Sequence, residues 1–169
     1  INLIKIIKLM QQTTEFKRPN WDQYFINIAK LTSERSNCIK RRVGCVIVKD
    51  KRILSLGYNG TPINTLNCYQ GGCKRCMDQY NELDKITAKH LDLCMCLHAE
   101  ENAILFLSKT DLKDSTIYIT LIPCISCVKK ILQCQIKRVV YINNYSEELD
   151  KISIEILKLN NIEIIKWNE

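Results

Sequence analysis

The sequence predicts an α/β protein in which helices sandwich a mixed β-sheet. Residues 43–48 and 52–58 are β-rich runs joined by Lys49-Asp50-Lys51, and two such runs around a short connection are typical of a β-hairpin. After residue 98 the chain alternates helix-like and strand-like segments three times. Strands separated by helices pair through crossover connections of right-handed sense, so a mixed sheet covered by helices is expected.

The spacing of apolar residues predicts the individual elements. One helical face is marked at 3.6-residue spacing by Trp21, Phe25, Ile28 and Leu31. With Asn20 as its N-cap, this helix is expected to run to about Ser36 and to bury that face in the core. Further helices are expected over residues 99–108, 124–133 and 147–158, and further strands over residues 115–121, 138–142 and 162–167.

The composition is that of one globular domain. A chain of 169 residues is long enough for a hydrophobic core, and 46% apolar with 25% charged residues is ordinary for a soluble protein. The sequence contains neither an apolar run long enough to span a membrane nor a secretory signal, so a cytoplasmic protein without a membrane partner is expected. A net charge of +7 suits an anionic ligand, either a nucleotide or a nucleic acid.

The chemistry of the chain is expected at His98-Ala99-Glu100 and Pro123-Cys124-Ile125-Ser126-Cys127. One imidazole and two thiolates can bind a zinc ion and leave its fourth position open for water. The pattern H-x-E followed by P-C-x-x-C is typical of zinc-dependent nucleobase deaminases. The alternative is a core histidine beside a structural zinc knuckle, and that alternative gives Glu100 no role.

Glu100 is the predicted proton shuttle of this site. Both halves of the motif begin predicted helices, whose N-terminal amides favour thiolate over thiol. Bound zinc lowers the pKa of water to about 7, which supplies hydroxide to attack a ring carbon that carries an exocyclic amine. Glu100 lies near the metal without binding it, so we expect it to accept the proton of the water and then to protonate the ring nitrogen and the leaving amine.

Residues 61–97 form a cysteine-rich insertion without sustained periodicity. The candidate metal ligands in and near it are Cys38, Cys68, Cys73, Cys76, Cys94 and Cys96, with His90 as a further candidate. The spacings C-x-x-C and C-x-C are typical of metal knuckles, so one or two structural zinc ions are expected. The alternative is a set of buried free thiols acting as small hydrophobic groups. Cys45 and Cys134 fall on apolar faces and are predicted to lie in the core.

Several stretches carry a resemblance to a known family. They are Arg18-Pro19-Asn20-Trp21, residues 42–48, Gly57-Tyr58-Asn59-Gly60-Thr61-Pro62, and residues 98–104, 118–124 and 136–141. Together they resemble the cytidine deaminase superfamily, and within it the deoxycytidylate (dCMP) deaminases, over residues 18–167. The Gly-Tyr-Asn-Gly-x-Pro turn and the long insertion before His98 favour the dCMP deaminases, because adenosine deaminases acting on tRNA are shorter at that insertion.

The resemblance implies a three-layer α/β/α sandwich around a five-stranded mixed sheet. It implies deamination of dCMP to dUMP with release of ammonia, which supplies dUMP for thymidylate synthesis, in a homo-oligomer that is commonly a hexamer. Activation by dCTP and inhibition by dTTP are usual in the family. Several members bind an additional structural zinc at positions that correspond here to Cys38, Cys68 and Cys96. We therefore expect an N-terminal extension at residues 1–17 and one deaminase domain at residues 18–169.

The resemblance also implies substrate contacts. Asn59 resembles the residue that binds the deoxyribose hydroxyl, while an ordinary turn asparagine is the alternative on sequence alone. The backbone amide of Ala99 resembles the group that meets the base carbonyl, and Tyr145 resembles a neighbour of the nucleotide phosphate. Phe106 and Lys109 fall where the family couples subunit contact to effector response.

Three other functions compete with dCMP deamination. A polynucleotide editor fits the charge of +7, but no stretch interleaves aromatic with basic residues as a single-strand channel requires, so no obligate nucleic-acid partner is expected. An inactive zinc scaffold would not need Glu100. A zinc-ribbon nucleic-acid module built from Cys73, Cys76, Cys94 and Cys96 is compatible with an enzyme and would show salt-sensitive DNA binding.

Overall fold

The computed structural model describes residues 17–81 and 93–168. The predictions made for residues 1–16 and for His90 therefore lie outside the described residues. Within the described ranges, no helix combines the length and the apolar character that crossing a bilayer demands.

Five strands form one mixed sheet and confirm the predicted sheet. They are β1 (Gly44–Lys49), β2 (Arg52–Tyr58), β3 (Thr116–Leu121), β4 (Arg138–Asn143) and β5 (Glu163–Lys166). The strand order is β2-β1-β3-β4-β5, with β1 antiparallel to both of its neighbours and β3, β4 and β5 mutually parallel. The β1–β2 connection is a tight hairpin in which Asp50 and Lys51 both have left-handed backbone angles, with φ of 50° and 61°.

Helices cover both faces of the sheet. They are α1 (Trp21–Ser33), α2 (Lys74–Asn81), α3 (Ala99–Ile104), α4 (Lys109–Leu112), α5 (Ile125–Gln133) and α6 (Glu147–Leu159), with a 3₁₀ turn at Cys68–Gln70. Phe25 and Ile26 of α1 pack on one face against Val46 and Val140. The opposite face of the sheet packs against α3, α5 and α6. The three-layer arrangement confirms the predicted sandwich and explains why β1 is buried on both faces.

Helix α1 presents a different face to the core from the one predicted. Phe25 and Ile26 are buried, but Leu31 is 64% exposed and Trp21 is 42% exposed, so the prediction that these last two lie in the core is wrong. Trp21 instead lies at the end of the hairpin, where the ammonium of Lys51 is 5.6 Å from its ring centroid. The helix also ends at Ser33, three residues before the predicted Ser36.

A polar cluster anchors α1 to the sheet. The carboxylate of Asp22 accepts two hydrogen bonds of 2.7 Å from the guanidinium of Arg138 on β4, and another of 2.7 Å from the hydroxyl of Tyr118 on β3. The hydrogen bonds from Arg138 lower the pKa of Asp22 below its ordinary value. This cluster fixes the helix across two neighbouring strands.

The remaining differences from prediction concern the helices. Helix α2 lies in the insertion at residues 61–97, where no helix was predicted. The helix expected over residues 99–108 ends at Ile104, and a separate short helix, α4, follows. Ser108 caps α4 by accepting a hydrogen bond from the backbone N–H of Asp111 at 3.3 Å, which explains the break. Leu105 and Phe106, between the two helices, are 66% and 70% exposed.

Candidate metal centre

The predicted zinc ligands meet where two helices begin. His98 is the N-cap of α3, Cys124 is the N-cap of α5, and Cys127 lies in the first turn of α5. Nδ1 of His98 is 3.3 Å from Sγ of Cys127 and 3.5 Å from Sγ of Cys124. All three ligand atoms lie within 4.8 Å of one another. The structure therefore brings together the two halves of the sequence motif.

The donor set fits a zinc ion. Nitrogen and sulfur ligands bound at tetrahedral angles to one zinc are separated by about 3.6 Å, given Zn–N and Zn–S bonds of about 2.1 and 2.3 Å. The two N···S distances are close to that value. Three protein ligands leave one tetrahedral position for a water or a substrate atom, which is the arrangement of catalytic rather than structural zinc.

The three predicted ligands also change the pKa values of one another. The neighbouring thiol of Cys127, followed by the imidazole of His98, lowers the pKa of Cys124 to about 4. The Cys124 thiolate in turn raises the pKa of His98 to about 9, and it raises the pKa of Cys127 as well. The protein thus favours a thiolate at Cys124 within the ligand set, and a metal would displace the protons of the other two ligands.

Glu100 lies beside the ligands and is almost completely buried, with 4% exposure. Burial is the main reason that its pKa is raised to about 7, and the nearby His98 opposes that rise. Its position is set by close packing of α3 on β2. A Cβ added to Gly57 would lie 2.1 Å from the carbonyl oxygen of Ala99, so only glycine allows this approach.

Glu101 is a residue of the site that the sequence analysis missed. Its Oε2 accepts a 2.7 Å hydrogen bond from the backbone N–H of His98, and its Oε1 forms a 2.9 Å ion pair with Lys130 of α5. The carboxylate thus joins the N-terminus of α3 to the last turn of α5. A Glu three residues after an N-cap is the capping-box pattern, and that pattern could have identified it.

Asn59 is tied into the surrounding backbone. Its Oδ1 accepts hydrogen bonds from the N–H of Val43 at 2.8 Å and the hydroxyl of Ser36 at 2.7 Å, and its Nδ2 donates to the carbonyl of Arg41 at 2.8 Å. One Nδ2 hydrogen remains for a ligand. The next residue, Gly60, exchanges two backbone hydrogen bonds of 2.8 and 3.1 Å with Leu97, so this turn lies directly beside the segment that carries His98.

A basic pocket of about 600 Å³ lies at the carboxyl ends of β3 and β4. Its lining includes Lys30, Arg41, Arg42, Thr120 and Asn143. Ligands of open α/β sheets bind at the carboxyl ends of parallel strands, next to the point where the strand order reverses.

The predicted phosphate neighbour lies beside this pocket. The guanidinium of Arg41 lies over the ring of Tyr145, 4.6 Å from its centroid. The sequence analysis gave Arg41 and Arg42 no role in binding, although two consecutive arginines one residue before the strand that begins at Gly44 are a visible signal.

The six candidate structural ligands form one thiol cluster. We use this name for Cys38, Cys68, Cys73, Cys76, Cys94 and Cys96. Five of them are at most 9% exposed, and within residues 17–81 and 93–168 the one apolar side chain other than cysteine that packs against them is that of Ile39. Contact with Cys96 lowers the pKa of Cys38 to about 5 and that of Cys94 to about 4. Such a cluster has little other apolar surface around it, and its six thiols lie close enough together to hold metal.

The other two cysteines are separate from both metal-ligand groups. Cys45 is completely buried on β1, as predicted. Cys134, at the end of α5, is only partly buried, so the prediction that it belongs to the core is correct only in part. All ten cysteines are free thiols in the structure.

Comparison with known proteins identifies the family. A sequence model described as the cytidine and deoxycytidylate deaminase zinc-binding region matches residues 19–143. The chain is 44% identical over 149 residues to the deoxycytidylate deaminase of Saccharomyces cerevisiae, a match that covers 88% of this chain and 45% of that protein. It is 38% identical over 124 residues to the deoxycytidylate deaminase of Mycobacterium phage D29, covering 73% of this chain and 95% of that protein. The chain therefore belongs to the cytidine and deoxycytidylate deaminase family, as its sequence motifs predicted.

A solved structure agrees with this family. The crystal structure of dCMP deaminase from the cyanophage S-TIM5, in complex with dCMP and dUMP, is similar with a TM-score of 0.68 and 29% sequence identity. The similarity covers 89% of this chain and 99% of the phage chain. By contrast, the chain spans 45% of the length of its relatives from Saccharomyces cerevisiae and Schizosaccharomyces pombe.

Proposed function

We propose that this chain catalyses the hydrolytic deamination of dCMP to dUMP with release of ammonia. The observation that carries the proposal is the meeting of His98, Cys124 and Cys127 around a buried, unligated Glu100, in a chain whose family relatives include deoxycytidylate deaminases. The product would supply dUMP for thymidylate synthesis. The free thiols of all ten cysteines suit a reducing compartment, so we propose a cytoplasmic enzyme.

Zinc at this site would activate water for attack on the ring carbon that carries the amine. Glu100 accepts one proton from the water and gives it to the ring nitrogen; it then accepts the proton of the added hydroxyl group and gives it to the departing amine, which leaves as ammonia. Its burial excludes competing water from the proton path. Glu101 accepts a hydrogen bond from the backbone N–H of His98 and so serves as a positioning residue for that ligand.

The substrate contacts follow from groups with unused hydrogen-bonding capacity. Ala99 is the first residue of α3, so its N–H has no partner within the helix and is the proposed donor to the base carbonyl. The remaining Nδ2 hydrogen of Asn59 is the proposed donor to the deoxyribose hydroxyl. The basic pocket with Arg41, Arg42 and Tyr145 is the proposed phosphate site, because guanidinium groups bind phosphate through paired hydrogen bonds.

The proposed assembly is a homo-oligomer, and a hexamer is the form that the family resemblance favours. Leu105 and Phe106 support a subunit contact because they are neighbouring, large and mostly exposed apolar side chains. Lys109 begins the next helix and is the proposed link between that contact and the response to dCTP as activator and dTTP as inhibitor. One zinc in the catalytic site and one or two in the thiol cluster complete the proposed cofactors.

Ammonia release from dCMP tests the reaction. Zinc-replete protein should release ammonia from dCMP, and should release it much more slowly from cytidine, deoxycytidine, CMP or single-stranded DNA. Absence of dCMP turnover would overturn the proposal, and a preference for single-stranded DNA would favour a polynucleotide editor instead. Adding dCTP or dTTP to the same assay tests the proposed regulation independently of the reaction.

A matched pair of variants tests the phosphate site. Arg41→Gln removes one charge-assisted contact of about 1.5–3 kcal/mol, so the KM for dCMP should rise about 10–100-fold. The KM for deoxycytidine, which lacks the phosphate, should change little. Arg52→Gln removes the same charge at the start of β2, outside the pocket, and should leave both values near those of the parent chain. Equal effects of Arg41→Gln on both substrates would contradict the phosphate assignment.

A further inference from the structure

The thiol cluster divides into two overlapping groups of four. Cys38 and Cys68 form one group with Cys76 and Cys96, and all four Sγ atoms lie within 4.8 Å of one another. Cys73 and Cys94 form a second group of the same size with the same two cysteines, Cys76 and Cys96. Each group has the four thiols of a closed, structural zinc site. The cluster thus offers two sets of four thiols, and the two sets share two cysteines.

The shared thiols are in contact with both sides of the cluster. The side chain of Cys96 contacts that of Cys38 in the first group and that of Cys94 in the second. The side chain of Cys76 contacts those of Cys38 and Cys68 in the first group. It also contacts those of Cys73 and Cys94 in the second. A thiolate has enough lone pairs to bind two metal ions, so both positions suit a bridging sulfur.

The sulfur spacing matches coordination rather than disulfide bonding. Sγ of Cys94 is 3.8 Å from Sγ of Cys73 and 3.9 Å from Sγ of Cys76. Two thiolates bound at tetrahedral angles to one zinc are separated by about 3.8 Å, given Zn–S bonds of about 2.3 Å. A disulfide would bring the two sulfurs to about 2.0 Å, so these pairs have a spacing that fits two ligands of one ion and excludes a disulfide.

The four outer thiols accept backbone hydrogen bonds of the kind that stabilise metal-bound thiolates. Cys38 accepts from the amides of Lys40 and Arg41, and Cys68 accepts from that of Ile39. In the second group, Cys94 accepts from the amide of Cys96, and Cys73 accepts from that of Met95 at 3.4 Å. Amide donors spread the negative charge of a terminal thiolate. The outer thiols of both groups therefore accept backbone hydrogen bonds of the kind that support a bound metal's ligands.

We propose that the thiol cluster binds two zinc ions as one binuclear centre, with Cys76 and Cys96 as bridging ligands. Six thiols and two Zn²⁺ ions combine to form a dianionic cluster and release six protons. No electrons are transferred. A single zinc in either group would leave two unligated thiols of the other group packed against it. The proposal extends the structural-zinc part of the proposed function and does not depend on the deamination reaction.

Metal content of the intact, reduced chain is the first test. Elemental analysis after dialysis against metal-free buffer should give three zinc ions per chain, and His98→Ala should retain two. Two ions in the parent chain and one in His98→Ala would overturn the binuclear centre while leaving one structural zinc. One ion in the parent chain and none in His98→Ala would remove the structural sites altogether, and the catalytic proposal would remain.

Single replacements by serine separate shared from outer ligands. Cys96→Ser should lose both cluster zincs, whereas Cys73→Ser should lose at least one. A single zinc bound by the first group predicts instead that Cys73→Ser keeps the metal content of the parent chain. Cys134→Ser is the matched control, since Cys134 lies outside every metal-ligand group of the described residues, and it should retain three ions.

Bridging itself is tested without any variant. The chain loaded with ¹¹³Cd²⁺ in place of zinc should give two cluster resonances that are split by mutual coupling through the shared sulfurs, and one unsplit resonance from the catalytic site. Two unsplit cluster resonances would show separate sites and contradict the bridge. Deamination by the zinc-loaded chain is measured separately, so failure of the bridge and failure of the proposed reaction give different results.

Discussion

Replacing Glu100 by glutamine is the sharpest test of the proposed chemistry. Glutamine has nearly the same shape, so the packing of a side chain that is 4% exposed should be retained. The amide cannot accept and return a proton at neutral pH. The zinc ligands His98, Cys124 and Cys127 are untouched, and zinc content should therefore equal that of the parent chain.

The expected loss follows from the role of the carboxylate. General acid–base catalysis contributes about 10²–10⁴-fold, which corresponds to about 3–5 kcal/mol of transition-state stabilisation. Since Glu100 is proposed to act in more than one proton transfer, kcat should fall by at least the lower of these factors. KM should change much less, because no proposed ground-state contact is removed.

Glu101→Gln is the matched control at the adjacent position. Glutamine still offers an oxygen to the backbone N–H of His98, and only the 2.9 Å ion pair with Lys130 is lost. Partly exposed ion pairs contribute about 1 kcal/mol or less, so its kcat should stay within about tenfold of the parent value. Ammonia release and zinc content are measured on both variants. A zinc-replete Glu100→Gln protein that is as active as Glu101→Gln would refute the assignment of Glu100.

Three further predictions concern stability, packing and assembly. Asp22→Asn should lower the free energy of unfolding at pH 7 by about 1–3 kcal/mol in urea titrations, because charged hydrogen bonds to Arg138 are weakened. Since Arg138 lowers the folded-state pKa of Asp22, this difference should be present above the ordinary Asp pKa and vanish as pH falls through the lowered value; a pH-independent difference would contradict it. Gly57→Ala should reduce dCMP turnover more than the replacement of an exposed Ser or Thr by Ala does, because the new Cβ would displace the carbonyl of Ala99 at the start of α3. Kinetics equal to those of the parent chain would show that α3 adjusts freely. Phe106→Glu should lower the molar mass measured by light scattering while retaining the helical circular dichroism of the parent, and an unchanged mass would exclude Phe106 from the subunit contact.

Spacing in the sequence predicted the features that depend on near neighbours. The hairpin around Asp50 and the three later strands were predicted to within about two residues because their patterns are short and bounded by polar connections. The pairing of His98 with Cys124 and Cys127 was predicted because a zinc site accepts few ligand spacings.

Features that depend on distant contacts were harder to predict. Trp21 and Leu31 share a helical period with Phe25, yet α1 turns Phe25 and Ile26 to the sheet because the side chains of β1 and β4 meet it there. Periodicity locates the apolar face of a helix, but when that face is wide it cannot show which residues at its edges are buried.

The cysteines show the same limit more clearly. C-x-x-C and C-x-C spacings identify candidate metal ligands, and the sequence left the number of structural zinc ions open between one and two. Only the folded positions show that Cys76 and Cys96 belong to both groups of four, since Cys38, Cys68 and Cys94 come from separate segments of the chain. A shared ligand has no signature of its own in the sequence.

The position of Cys96 joins the thiol cluster to the candidate metal centre. Only Leu97 separates it from His98, and Leu97 is fixed by its two backbone hydrogen bonds to Gly60. Three consecutive residues are thus tied to the thiol cluster, to the turn after β2, and to the candidate metal centre. A link of one residue cannot absorb a shift of more than a few ångströms, because consecutive Cα atoms are about 3.8 Å apart. We therefore expect movement of Cys96 to displace the imidazole of His98 or to break the pairing with Gly60, so the thiol cluster helps to position the candidate metal centre.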